Sequence, residues 1–342
     1  MKIEIAEFLK QTSPVIDVRS PAEFLKGHFP GAYNIPLLSN EERAVIGTLY
    51  KQKGREEAIL KALELTGPKM AKYVYELNEI LENYSERKIR IYCWRGGMRS
   101  GSMAWLFSLF GVDTDILIKG YKAYRNFVQN EFSKIKKPII LGGYTGSGKT
   151  EILHQITGKN QQVVDLEYYA HHKGSAFGFI GEKAQPSTEQ FENNIGILLN
   201  EFDKSLPIWI EDESRTIGKV YLPENLYATI RNSDLIFIDL PKELRVENLV
   251  RIYAGYEKSH LLKALDKIVK RLGGQNYKAA VQALEVGDYH TVADISLSYY
   301  DKAYLFGMNK RDKNKVHKLV LNSNDSAENA EAIMEFYVKK KL

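Results

Sequence analysis

Apolar positions along this chain recur at two different periods. Ile89 and Ile91 alternate with polar neighbours, the mark of a short buried strand. Beyond residue 138 the apolar runs are compact: Ile139–Leu141, Val163–Val164, Ile208–Ile210, Leu235–Ile238 and Leu319–Leu321. Stretches of helical periodicity separate them, which predicts a parallel sheet flanked by helices. Between residues 37 and 84 the period is helical, with Met70, Tyr73, Val74, Leu77 and Leu81 on one face. A second amphipathic run carries Met103, Phe107 and Phe110. Residues 242–310 are mostly helical in pattern, broken at Gly273-Gly274 and Gly287. The charged stretch Ser133-Lys-Ile-Lys-Lys-Pro138 is the expected boundary. The fold expected is therefore α/β in two parts. Residues 1–133 form one domain with a helical insert at about 37–84. Residues 134–342 form a second, with a helical subdomain at about 242–310. A length of 342 residues supports about two domains.

Cys93 is the single cysteine, and it opens Tyr92-Cys-Trp-Arg-Gly-Gly-Met-Arg-Ser100. Placed between a strand and a helix, its sulfur can receive several backbone N–H groups, while Arg95 and Arg99 add positive charge. Such a nest lowers a thiol pKa and holds an anion. A buried structural thiol is the plain alternative, and the clustered glycines and arginines weigh against it. One cysteine excludes an internal disulfide and a cysteine-based zinc cluster. A reducing cytoplasm fits a free reactive thiol, and Met1–Glu7 carries charges where a leader's apolar core would lie, so cytoplasmic location without membrane contact is expected. The net charge of +5 is compatible with an anionic partner and does not identify one.

Gly143-Tyr-Thr-Gly-Ser-Gly-Lys-Thr150 satisfies G-x4-G-K-[ST] between a predicted strand and a predicted helix. Gly143, Thr145, Gly146, Ser147 and Gly148 would turn backbone N–H groups onto phosphate oxygens. Lys149 supplies a point charge, and Thr150 is placed to reach magnesium. Any diphosphate would suit this cradle, so a nucleotide does not follow from it. An acid at the end of a later strand usually orders the metal and water; Glu211 or Asp212 in Glu211-Asp-Glu-Ser-Arg215 is one candidate, and Asp165-Leu-Glu167 another.

The stretch from Asp165 through His171, His172, Lys173, Ser175, Phe177 and Phe179 mixes polar and aromatic residues in an expected loop. The histidines can contact substrate or be structural. No H-x3-H spacing supports a metal site. Tyr168, Tyr169, Phe177 and Phe179 can line an apolar pocket facing the phosphate loop or pack in a core. Lys263, Lys267 and Lys270 share one helical face with Arg271 beside it. That face suits RNA phosphates, or is simply solvated.

Two resemblances extend this reading. Val15-Ile-Asp-Val-Arg19, Glu23-Phe24 and Gly27–Pro36, followed by the Cys93 loop, resemble the rhodanese domain, whose cysteine carries a persulfide or its selenium counterpart. The Cys93–Arg99 spacing is one residue longer than in sulfur-transfer rhodaneses and is similar to Cys-x5-Arg phosphatases. The fusion of a rhodanese-like module to a P-loop module resembles the tRNA 2-selenouridine synthases over nearly the whole chain. Beyond the two signatures, Gly47–Lys51, Asp165–Glu167, His172–Ser175, Phe177-Gly178, Gln185-Pro186 and Glu211–Arg215 carry it. Lys173 stands where the family pattern has arginine.

The second resemblance implies a two-step exchange on tRNA bearing 2-thiouridine at the wobble position. Geranyl diphosphate first alkylates the sulfur, and selenium from selenophosphate then replaces the S-geranyl group, with Cys93 a candidate to carry selenium. No tightly bound cofactor is expected. Selenophosphate and geranyl diphosphate are the implied cosubstrates, magnesium is admitted at Thr150, and a selenophosphate-supplying enzyme is a further partner the resemblance admits. Three other readings stay open: an ATP-linked tRNA sulfurtransferase with a persulfide on Cys93, a phosphatase, and a tRNA-binding scaffold. The intact cysteine loop and phosphate loop argue against the last.

Overall fold

The computed structural model describes residues Met1–Leu342. Two compact units make up the chain. One comprises Met1–Glu131 with Glu192–Ile197, the other Phe132–Phe191 with Leu198–Leu342.

The first unit is built on five strands: β1 (Lys2–Ile3), β2 (Val15–Asp17), β3 (Tyr33–Asn34), β4 (Lys88–Tyr92) and β5 (Asp113–Leu117). They lie in the order β1-β5-β4-β2-β3, and every pairing is parallel. A parallel sheet needs apolar cover on its faces. Ile16, Ile89, Ile91, Met103 and Phe107 supply it within one core, together with Tyr73, Val74, Leu77 and Leu81 of the helix Met70–Leu81. The stretch expected to be a helical insert holds that helix and two more, Asn40–Gln52 and Arg55–Thr66.

Phe110 departs from expectation. The helix after the cysteine loop runs Met98–Ser108 and stops before it. Gly111, at φ +71°, turns the chain toward β5 and leaves Phe110 51% exposed. The helical spacing of Met103, Phe107 and Phe110 therefore does not continue into a buried face at its last member.

The second unit carries β6 (Pro138–Gly143), β7 (Gln162–Val164), β8 (Ile208–Glu211), the two-stranded antiparallel pair β9 (Thr216–Ile217) and β10 (Val220–Tyr221), then β11 (Leu235–Asp239) and β12 (Val316–Val320). The main sheet has the order β12-β11-β6-β8-β7 and is parallel throughout. β6 is central, so the loop that leaves it emerges at the carboxyl edge of the sheet, where α/β folds bind ligands. β12 begins three residues before the apolar run that marks it in the sequence. It is an edge strand, and the adjacent polar pair His317 and Lys318 separates Val316 from Leu319 and Val320.

Four helices form the subdomain before β12: Lys242–Tyr253, Lys258–Leu272, Gly274–Val286 and Tyr289–Met308. Gly287 ends the third in the left-handed region at φ +82°, a conformation glycine adopts without steric cost. The subdomain buries its own cluster around Leu261, Leu265, Ile268 and Leu284. No helix is long and apolar enough to cross a membrane.

Candidate active site

Cys93 follows the last residue of β4, and the turn after it is held by close backbone approach. A Cβ on Gly96 would lie 2.2 Å from the Leu117 carbonyl oxygen, and one on Gly120 would lie 2.1 Å from the Cys93 carbonyl oxygen. Only glycine fits at either place. Across that contact Tyr121 N donates to Cys93 O at 2.9 Å, and Lys122 N to Trp94 O at 3.1 Å. The thiol is 4% exposed, with Ser100 Oγ 3.3 Å from its Sγ. Burial pushes the thiol pKa up. The Ser100 hydroxyl and the N–H groups of Ser100, Gly97 and Arg95 outweigh burial and hold it below the ordinary value.

The arginines do not play the part their positions suggest. Arg99 forks onto Glu23, at 2.7 Å to Oε2 and 3.3 Å to Oε1, while Arg95 is exposed. The backbone nest and Ser100 are the leading groups that lower the thiol. Beneath the loop, Asp17 and Arg19 form a fully buried pair, with Arg19 Nη2 donating to Asp17 Oδ2 at 2.6 Å. The guanidinium lies 3.7 Å from the Tyr121 ring centroid and donates to Gly27 O.

In the second unit the phosphate loop leaves β6 and enters the helix Lys149–Gly158. Gly146 and Gly148 have φ of +82° and +74°, and a Cβ on Gly146 would meet the Arg245 carbonyl at 2.9 Å. Lys149 Nζ donates to Gly143 O at 3.2 Å. Ser147 Oγ is buried without a hydrogen-bond partner, which is unusual for a hydroxyl and fits a site meant to receive oxygens. Thr150 Oγ1 donates to Glu167 Oε2 at 3.1 Å, and Glu211 Oε2 accepts from Glu167 N at 3.1 Å. Burial, then the mutual repulsion of these carboxylates, pushes Glu211 and Glu213 well up. Burial likewise pushes Glu167 up to about 7, against the pull of Lys149 and Thr150.

These groups surround a cavity of about 570 Å³ lined by Thr145 to Glu151, by Glu167, by Lys173 to Ala176 and by Glu213. The helical subdomain contributes Leu249, Tyr253, Ile268, Arg271, Tyr299, Tyr300 and Tyr304. Lys173 pairs with Glu182 at 3.0 Å. Arg271, exposed like the lysines of its helix, lines this cavity and donates to the Tyr299 hydroxyl at 2.8 Å. Lys263 and Lys270 are exposed, and Lys267 covers the Phe179 ring at 3.9 Å.

Other sequence candidates lie off the cavity. Asp165 caps the helix Leu166–Ala170 and meets His154 at 2.9 Å. His172 is buried, with Nδ1 unpartnered, against Gly178 and Gly218. Arg215 is exposed and paired with Glu224. Asp212, by contrast, lines the cavity, bound there by Arg231 and Arg311. The expectation that aromatics of 168–179 line a pocket facing the phosphate loop holds only in part: Tyr168 is 66% exposed and meets Tyr169 edge-on, whereas Phe177, in the subdomain core, lines a small recess together with Thr145. The aromatic wall is instead Tyr253, Tyr299, Tyr300 and Tyr304. Sequence reasoning missed them because tyrosines at helical spacing look like ordinary packing.

A parallel sheet ending in a cysteine nest, and a second parallel sheet ending in a phosphate loop, define a two-domain enzyme of the rhodanese and P-loop classes. Family models agree: residues 3–127 match the rhodanese-like domain, and residues 136–332 match the tRNA 2-selenouridine synthase AAA domain. The tRNA 2-selenouridine synthase of Nitrosomonas europaea is 34% identical, over 92% of this chain and 93% of that protein. That of Shewanella frigidimarina is 34% identical over 90% and 92%. That of Bdellovibrio bacteriovorus is 39% identical over 73% and 67%. The chain belongs to the tRNA 2-selenouridine synthase family, whose members are tRNA-modifying enzymes.

Proposed function

We propose that this protein converts 2-thiouridine at the tRNA wobble position to 2-selenouridine, through an S-geranyl intermediate. The observation that supports it best is the cavity on the phosphate loop. One side offers the loop's N–H groups, Lys149 and the unpartnered Ser147 hydroxyl. The other is a wall of tyrosine and aliphatic side chains, with Arg231, Arg271 and Lys310 among them. That pairing suits a diphosphate esterified to an apolar chain.

In the first step the thiocarbonyl sulfur bonds to the allylic carbon as the C–O bond breaks. Diphosphate leaves with the electron pair, and the base loses its N3 proton. Lys149 and the loop stabilise the charge that develops on the leaving oxygen. Thr150, Glu167 and Glu211 provide oxygen donors of the kind magnesium takes, and a bound cation would offset their repulsion and further neutralise the diphosphate. No group of three or more histidine, cysteine or acidic residues has metal-holding geometry, so phosphate oxygens and water would complete such a shell.

In the second step selenium from selenophosphate bonds to C2 and geranyl thiol departs, which a thioether permits and a thiocarbonyl does not. Water takes the phosphoryl group. Cys93, held as a reactive thiol by its nest, is assigned to this step. Incubation of thiolated tRNA with geranyl diphosphate and selenophosphate, followed by mass spectrometry of its nucleosides, tests the proposal. Selenouridine should form without ATP. Strict dependence on ATP hydrolysis would favour the sulfurtransferase reading, for which Thr150 and Glu211 would hold a nucleotide's magnesium.

A further inference from the structure

A second, smaller cavity of about 40 Å³ adjoins the phosphate-loop cavity inside the helical subdomain. Thr145, Ser175, Leu249, Tyr253 and Tyr300 line both. The recess lies where two apolar clusters meet without filling the space between them. Phe177, Leu261 and Val292 belong to one, and Ala293 with Leu249 to the other. Interiors are normally packed to crystal density, and an apolar void stays dry and ready for an apolar guest.

Two phenol side chains form part of the wall shared by the two cavities. Tyr253 and Tyr300 line both spaces together with Ser175, and the Tyr300 hydroxyl accepts from Ala176 N at 2.9 Å. Rotation of these two phenol rings, with Tyr300 giving up its bond from Ala176 N, would join the spaces. In the main cavity, Leu249, Ile252 and Ile268 continue the apolar surface back toward the phosphate loop.

We infer that this recess is the tail subsite for a prenyl diphosphate and that its floor, formed by Val292 and Ala293, sets the chain length accepted. The inference rests on the isoprenoid reading of the phosphate loop. It places the tail among the helices Lys242–Tyr253, Lys258–Leu272 and Tyr289–Met308, with Ser175 and Phe177 the part of residues 168–179 that borders it. The first isoprene unit lies along Leu249 and Tyr253, and the end of the chain passes between Tyr253 and Tyr300 into the recess. A nucleotide has no part that would enter it.

The test is a binding titration without tRNA, using free diphosphate, dimethylallyl diphosphate, geranyl diphosphate and farnesyl diphosphate. Wild type should bind geranyl diphosphate at least about tenfold more tightly than free diphosphate, as burial of several methylene-sized groups implies. Ala293→Leu fills the floor and should remove most of that preference, leaving free and dimethylallyl diphosphate within about twofold. Val292→Ala deepens it and should improve farnesyl diphosphate relative to geranyl by about three- to tenfold. Retained binding of free diphosphate shows that each variant is folded. Equal affinity of wild type for free and geranyl diphosphate overturns the inference. So does a change in Ala293→Leu that is the same for all four ligands. Tail-dependent binding in wild type that Ala293→Leu removes supports the subsite even if tRNA is never geranylated, in which case only the reaction assigned above falls.

Discussion

Arg99 is clamped to Glu23 in a two-point fork, 2.7 Å at the shorter contact, rather than turned to the Cys93 sulfur. The guanidinium that a Cys-x5-Arg spacing offers to an anion is therefore already satisfied, and the thiol depends on backbone N–H groups and Ser100.

The Glu23–Arg99 pair predicts a pH-dependent stability. Burial raises the Glu23 pKa, but Arg99 and the Ser20 N–H outweigh it, so the net shift is downward. A depressed carboxylate stabilises the fold above its unfolded value, near 4.5, and that contribution is lost as pH falls through the lower folded value. Glu23→Gln should cost about 1 kcal/mol at pH 7, a figure reduced for partial solvent screening. The gap between wild type and variant in thermal melts should close as pH drops through and below the carboxylate range. A gap independent of pH would contradict the assignment.

The cysteine loop shows both what the sequence reveals and what it hides. Asp17-Val-Arg19 and the Cys93 loop are legible because each is a local string. Gly120 is not, since its need for glycine arises from a carbonyl 27 positions earlier that only the folded sheet brings to 2.1 Å. The phosphate loop is legible for the same local reason, as are the helical breaks at Gly273 and Gly287. The tyrosine wall is not: Tyr253, Tyr299, Tyr300 and Tyr304 come from two helices that meet only in the tertiary fold. Tyr168 and Arg215 draw attention through their neighbours in the chain, yet both side chains point to solvent.

Thiol alkylation reads the nest directly. The rate of Cys93 reaction with a small alkylating agent should rise with pH and reach half its plateau below the ordinary cysteine value of 9.0. Ser100→Ala removes the hydroxyl at 3.3 Å and should move that midpoint upward. Arg95→Ala should move it much less. The reverse ranking would restore the arginines as the source of the effect.

The buried acids beside the phosphate loop predict a trade between stability and function. Glu213 is buried among like charges, which pushes its pKa well up. A raised carboxyl favours the folded state while protonated and loses that advantage as pH rises from the unfolded value toward the folded one. Glu213→Gln should therefore raise the melting temperature at pH 8 by a few degrees, about 1 kcal/mol, and gain little at pH 5. Loss of stability at pH 8 would show that Glu213 is paired in a way that offsets its burial.

Lys149→Ala should slow geranyl transfer about 100-fold, as expected for one lost electrostatic stabiliser. Selenation of tRNA geranylated beforehand should proceed near the wild-type rate. Equal loss of both steps in a folded variant would show that the phosphate loop serves the whole reaction.

In the reaction proposed above, one chain performs two separable steps, alkylation at the phosphate loop and selenium exchange at Cys93. The most direct measurement is nucleoside mass spectrometry on thiolated tRNA incubated with Cys93→Ser protein, geranyl diphosphate and selenophosphate. S-geranyl-2-thiouridine should accumulate, and 2-selenouridine should be absent. Normal 2-selenouridine from this variant, or the absence of the geranylated nucleoside, would contradict that division into two steps.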